Sequence, residues 1–220
     1  LMGLIADGSG ERIIGPFEQG PRGLLVLYHE RDLLGDLNFA CATREGEARR
    51  PDTRPDLSEG ERSTRCVRMY WEAAYDIFQN KGSVAATVTY ITGLFNQSAT
   101  LFANDGVQVS LLETFVWDVP SPYNATSSGG RLSQFGTERT SFNGDLAHLL
   151  DYANYGGVAW LSSLCSSTSS RMAYSGIDAS FNNVPTYSWS TMVVTHEAGH
   201  NMGSNHTHAC VWNGNGTAID

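Results

Sequence analysis

The 220-residue sequence predicts an α/β (α+β) fold: a mixed, mostly parallel twisted sheet of about five strands, a backing helix, and a second helix that carries histidines. Three observations predict it. Period-two apolar alternation, period-3.6 recurrence and a β-branched, aromatic run follow one another between residues 67 and 117, which is the order strand, helix, strand. Charge is concentrated before residue 66, with 21 charged residues in 1–65 against 16 in the 155 that follow, so the packed unit lies in the second part. Four of the six histidines fall within 196–208, in a proline-free stretch at helical spacing.

The elements follow in order. The chain opens on leucine with no charged-then-apolar leader, so its N-terminus reads as an internal cut. Within 1–43, "GLLVLYHERDLL" is expected to form a strand and turn. Residues 44–65 carry 12 charges, two prolines and almost nothing apolar, the composition of a solvated linker, and Arg49-Arg50 within it is a candidate processing site. From 66 to 220 the chain reads as one domain. Val67, Met69, Trp71, Ala73, Tyr75 and Ile77 alternate as in a strand. Gly82-Ser83 then caps a helix of about six turns, with Val84, Val88, Ile91, Phe95 and Phe102 on one face and Asn104-Asp-Gly as its stop. Residues 107–117 form the next strand, and 118–144 a long Ser/Gly/Pro-containing connection with room for a helix. "DLAHLLDY" and "GGVAWL" supply two further short strands before a serine-rich loop.

Composition excludes several functions. The net charge is −9 and Lys81 is the only lysine, so no basic stripe is available for nucleic acid. No apolar run reaches the length of a membrane-spanning helix, so no membrane insertion is expected. Cys41, Cys66, Cys165 and Cys210 are widely spaced without a CxxC pair, which favours disulfides in an exported protein over a zinc ribbon. Acceptor tripeptides at Asn96, Asn124, Asn205 and Asn215 agree with a secreted, extracellular location.

The histidines carry the chemistry. His196 and His200 stand four apart, so on a helix they share a face and can grip one ion. Glu197 is turned aside from that ion yet within reach of a water on it, the place of a general base. Gly203 can take the left-handed backbone that ends a helix and lets His206 swing back as a third ligand. Three protein ligands leave a fourth position open, as in catalytic zinc sites. The whole pattern H-E-x-x-H-x-x-G-x-x-H arises by chance roughly once in ten million start positions. After Glu197 the only acid is Asp220, so His206 is the better third ligand than any downstream glutamate. His208 is expected to point away, and His29 and His148 to be ordinary residues.

"HEAGHNMGSNH" resembles the extended zinc motif of the metzincin metallopeptidases, and Asn201 after the second histidine is most similar to the reprolysin (adamalysin) branch and its bacterial relatives. The resemblance covers about 66–220. It implies the metzincin upper subdomain, with an active-site helix and one catalytic Zn²⁺ on His196, His200 and His206. It also implies that "GGVAWLSSLC" forms the upper rim of the cleft, so that Gly157, Val158, Ala159, Trp160 and Leu161 bind substrate. Two departures stand out: Thr207 occupies a position usually held by aspartate, and no methionine follows Met202, so the methionine turn of the family is expected beyond Asp220. Residues 1–43 then read as the C-terminal part of a propeptide, with Cys41 as a thiolate latency switch on the zinc or, alternatively, an incidental cysteine. If Cys41 is free, Cys66 and Cys165 can pair across the sheet.

The resemblance therefore implies a zinc endopeptidase acting on peptides or proteins, with Glu197 as general base and the substrate added as a strand along 157–161. The rival readings are a zinc-stabilised binding or adhesion module and a different zinc hydrolase. Glu197 speaks against the first, and the glycine between the second and third histidines against the second.

Overall fold

The computed structural model describes residues 3–7, 10–16, 24–29, 41–44, 66–179 and 186–209. Arg49-Arg50, nearly all of the 44–65 linker, Cys210 and Asn215 lie outside them. Near the N-terminus, β1 (Gly3–Asp7), β2 (Gly10–Pro16) and β3 (Leu25–His29) form an antiparallel three-stranded sheet, of which only β3 was expected. The main body is a five-stranded sheet. Its members are β4 (Val67–Ala73), β5 (Val109–Val116), β6 (Leu146–Asp151), β7 (Gly157–Ala159) and β8 (Met172–Gly176). They stand in the order β5-β4-β6-β8-β7, all parallel except β7. Among the described residues, four α-helices accompany it: α1 (Tyr75–Lys81), α2 (Val84–Asn104), α3 (Ser128–Glu138) and α4 (Thr186–Met202). None of the described helices is long and apolar enough to cross a membrane.

The structure departs from the local expectations at two points and fills in a third. The period-two pattern runs on through Tyr75 and Ile77, but the strand ends at Ala73 and the chain turns into α1. Asp76 makes the difference: one carboxylate oxygen accepts from the Ile77 amide and the other from the Tyr152 amide, which ties the first turn of α1 to the end of β6. The alternation at 75 and 77 is thus an accident of two apolar helix positions. Strand β8 was not foreseen, although its five residues are all buried. It is short and covered on both faces, so its sequence shows no alternation between buried and exposed positions. Lastly, the 118–144 connection contains α3, started by Ser127, whose hydroxyl accepts from the Gly130 amide.

The pleat divides the core in two. Met69, Trp71, Ala73, Leu146 and Leu150 face α2 and α4, where they meet Ile91, Leu94, Phe95, Val193, Val194 and Ala198. Tyr70, Ala147, Leu149, Met172 and Tyr174 face the opposite side and pack on Leu132 and Phe135 of α3. Helices cover both faces of a mostly parallel sheet, which explains the near-continuous burial of its central strands. Two side-chain hydrogen bonds join α2 and α4: Thr191 donates to Gln97 Oε1 and Thr195 to Ser98 Oγ, each at 2.8 Å. These contacts hold the histidine helix in fixed register on the backing helix.

His148 lies inside this core, 3% exposed, edge-on to Trp71 and 2.8 Å from Ser175 Oγ. Burial pushes its pKa down to about 3 from an ordinary 6.5. Between those values the unfolded chain binds the extra proton, so this histidine's share of stability is present above pH 6.5 and is lost as pH falls. Asp151, pushed up to about 6 chiefly by burial, acts in the opposite sense between its ordinary carboxylate value and pH 6. Comparison with His148→Gln separates the two. Relative to that variant, the wild type should lose about 2 kcal/mol on going from pH 7 to pH 5, measured by urea unfolding at both values.

Candidate metal centre

Helix α4 places His196 and His200 one turn apart. It ends as the glycine suggested. Gly203 has φ 108°, and its amide and that of Ser204 bond to the carbonyls of His200 and Gly199. The chain then doubles back and brings His206 to the pair. Nε2 of His200 lies 2.9 Å from Nε2 of His196 and 3.2 Å from Nε2 of His206. The fourth member comes from the far end of the chain: Cys41 Sγ is 3.5 Å from His200 Nε2, and the four donor atoms all lie within 4.8 Å of one another. His208 stacks on His206 at 5.0 Å and is not among the four.

This donor set fits a small tetrahedral cation. Ligands about 2.0–2.1 Å (nitrogen) and about 2.3 Å (sulfur) from zinc stand about 3.3–3.6 Å apart, close to the spacings above. His200 supplies an independent sign. Its Nδ1 is 2.7 Å from the Ser204 carbonyl, which can only accept, so Nδ1 carries the proton and Nε2 turns a lone pair to the cluster. Burial, and next the neighbouring His200 and His206, hold the His196 pKa down to about 3, which favours its neutral, metal-donating form.

Glu197 stands beside the cluster and is fully buried. Its Oε1 has no hydrogen-bond partner among the described residues, whereas Oε2 accepts from the Thr43 hydroxyl at 3.2 Å. Burial raises its pKa to about 8, against the pull of hydrogen bonds from Cys41 and Thr43. Burial and the Glu197 charge together push the Cys41 thiol up to about 12. The carboxylate rests on the backbone of β7. A Cβ at Gly157 would strike Glu197 Oε1 and lie 2.7 Å from its Cγ and Cδ, so only glycine leaves room for the acid.

Strand β7 is one edge of the sheet, and residues 41–43 lie along its outer side. Cys41 bridges Gly157 in parallel sense, and the Ala42 amide donates to the Gly157 carbonyl at 2.9 Å. Of the residues 157–161, Gly157, Val158 and Ala159 form the strand, and Trp160, about half exposed, and Leu161 follow it. The loop after β7 is locked to α4. Asn201 Nδ2 donates to the carbonyls of Trp160 and Met172 and to Ser163 Oγ, and the Ser162 amide returns a bond to the His200 carbonyl. Asn201 was noted in the sequence only for its resemblance; the structure shows it tying rim to helix.

Cys66 and Cys165 are free and exposed, which corrects the expected pairing. Cys66 leads into β4 and Cys165 follows β7, and β6 and β8 stand between those strands. Sequence reading also missed Thr43, because its contacts are with residues more than a hundred positions away.

Comparison with known proteins gives one family. Reprolysin_5, metallo-peptidase family M12, matches residues 63–218. No curated protein matches the chain. Among solved chains, one titled "Structure of a chaperone-substrate complex" is similar at 14% identity and TM-score 0.47, over 66% of this chain and 25% of that one. This chain thus spans a quarter of the length of that protein.

Proposed function

The chain belongs to metallopeptidase family M12, and from that premise we propose that it is a secreted, zinc-dependent endopeptidase kept latent by its own N-terminal segment. One observation carries the reading: three imidazole nitrogens and a thiol converge within 4.8 Å beside a fully buried glutamate. His196, His200 and His206 would hold one zinc ion, with Cys41 as the fourth ligand of the latent chain. When bound, zinc supplies Lewis acidity toward the scissile carbonyl and the attacking water.

The protein's own groups do the rest. Glu197 takes a proton from the attacking water and delivers it to the leaving amine. The absence of a side chain at Gly157 leaves room for its carboxylate and keeps it on the histidine side of β7. A peptide substrate adds along β7, using the amide and carbonyl groups that residues 41–43 engage in the latent chain. Exposed Asn96 and Asn124, both in acceptor tripeptides, support secretion.

The test is cleavage of a mixed quenched-peptide library by the zinc-loaded protein cut within 44–65, against Glu197→Ala at equal zinc content. Turnover should fall by about 10²–10⁴-fold in the variant with the metal retained. Equal turnover by both would overturn the mechanism. Zinc in both and cleavage by neither would favour a binding module.

A further inference from the structure

We propose that Thr43 is a second point of the latency lock, its hydroxyl covering the base Glu197 and filling the first backbone pairing of the β7 edge while Cys41 occupies the metal. The inference rests on the peptidase reading and adds a residue to it. Thr43 is 8% exposed, deep for a side chain just ahead of a charged linker. Its Oγ1 accepts from the Ala159 amide at 2.8 Å. Its single proton faces two acceptors, Glu197 Oε2 at 3.2 Å and the Ala159 carbonyl at 3.3 Å. One hydroxyl therefore meets a donor and an acceptor of the edge strand together with the carboxylate. A substrate strand and its attacking water would need those same groups.

Cys41 and Thr43 are also linked to each other. The Thr43 amide donates to Cys41 Sγ at 3.4 Å, while Cys41 Sγ lies on His200 and Thr43 Oγ1 on Glu197. Between them the Ala42 amide pairs with the Gly157 carbonyl. Three consecutive residues thus engage the metal donors, the edge strand and the base. Withdrawal of the thiol from the metal requires that the hydroxyl leave Glu197 as well, so the two contacts reinforce each other.

The test reads the accessibility of the Cys41 thiol in the full, uncut, zinc-loaded chain, with Cys66, Cys165 and Cys210 replaced by serine so that one thiol reports. The rate of reaction with an aromatic disulfide reagent is compared for wild type, Thr43→Val and Thr43→Ser, each also with Glu197→Ala. Thr43→Val should react about tenfold faster at unchanged zinc content, since the hydroxyl's hydrogen bonds to Glu197 and to the Ala159 amide are lost. Thr43→Ser keeps the hydroxyl and should stay near the wild-type rate. With Glu197→Ala the effect of valine should shrink to about threefold, because the shared partner is gone. Thr43→Ala guards against poor packing of valine and should also accelerate the reaction. An unchanged rate in Thr43→Val and Thr43→Ala, equal rates for valine and serine, or a valine effect undiminished by Glu197→Ala would overturn the proposal. Turnover after cutting the linker is measured on the same proteins; its absence would sink the peptidase reading, while the thiol rates would still decide what Thr43 does.

Discussion

Replacing His200 by alanine is expected to strip the protein of its metal. His200 is the hub of the cluster: its Nε2 lies 2.9 Å from His196, 3.2 Å from His206 and 3.5 Å from Cys41. Its other nitrogen is fixed on the Ser204 carbonyl, so the ring is held in one orientation before any ion arrives. Zinc on four protein ligands is worth about 10–16 kcal/mol, so the loss of one ligand should weaken binding by a factor of at least about a hundred. After dialysis against a weak chelator, elemental analysis should find about one zinc per wild-type chain and little in His200→Ala. His208→Ala is the control, because that ring stacks on His206 outside the donor set. Full zinc retention by His200→Ala would contradict the assignment of the site.

The second large effect concerns stability. Glu72 is fully buried near the C-terminal end of β4 and accepts hydrogen bonds from Tyr70, Trp117, Tyr123 and Arg139. Trp117 and Tyr123 lie in the connection after β5, and Arg139 directly follows α3, so one carboxylate gathers the crossover that covers this face of the sheet. Glu72→Ala leaves the Arg139 guanidinium and three further donors facing an apolar gap. A loss of about 3–5 kcal/mol is expected, as when one partner of a buried ion pair is removed. Glu72→Gln keeps one acceptor oxygen and should cost less. Urea midpoints read at constant slope would decide it, and a Glu72→Ala loss below about 1 kcal/mol would show that the network relaxes or takes up water.

The legible parts of the fold are the ones ruled by local periodicity. Helix α2 begins at the Ser83 cap and ends ahead of Gly106, as its apolar spacing and flanking residues indicate. Strands β5 and β6 fall where β-branched and apolar runs place them. The illegible parts depend on partners. Strand β8 sits between β6 and β7 and is hidden by its own uniform burial. The end of β4 is decided by a carboxylate that reaches residue 152. Glu72 looks like a polar interruption of an apolar strand until its four donors are seen together.

In the site the division is the same. The sequence by itself determined that His196, Glu197, His200 and His206 meet, because a turn of helix and a glycine stop act over only a few residues. Tertiary structure alone decided what surrounds them. Glu197 is buried because Gly157, forty positions earlier, has no side chain to exclude it. Cys41 and Thr43 reach the cluster because β7 is a sheet edge with free backbone groups, open to one more strand. Spacing along the chain can specify the first kind of contact. The second follows from the order of strands in the sheet, which brings together residues from forty to more than a hundred positions apart.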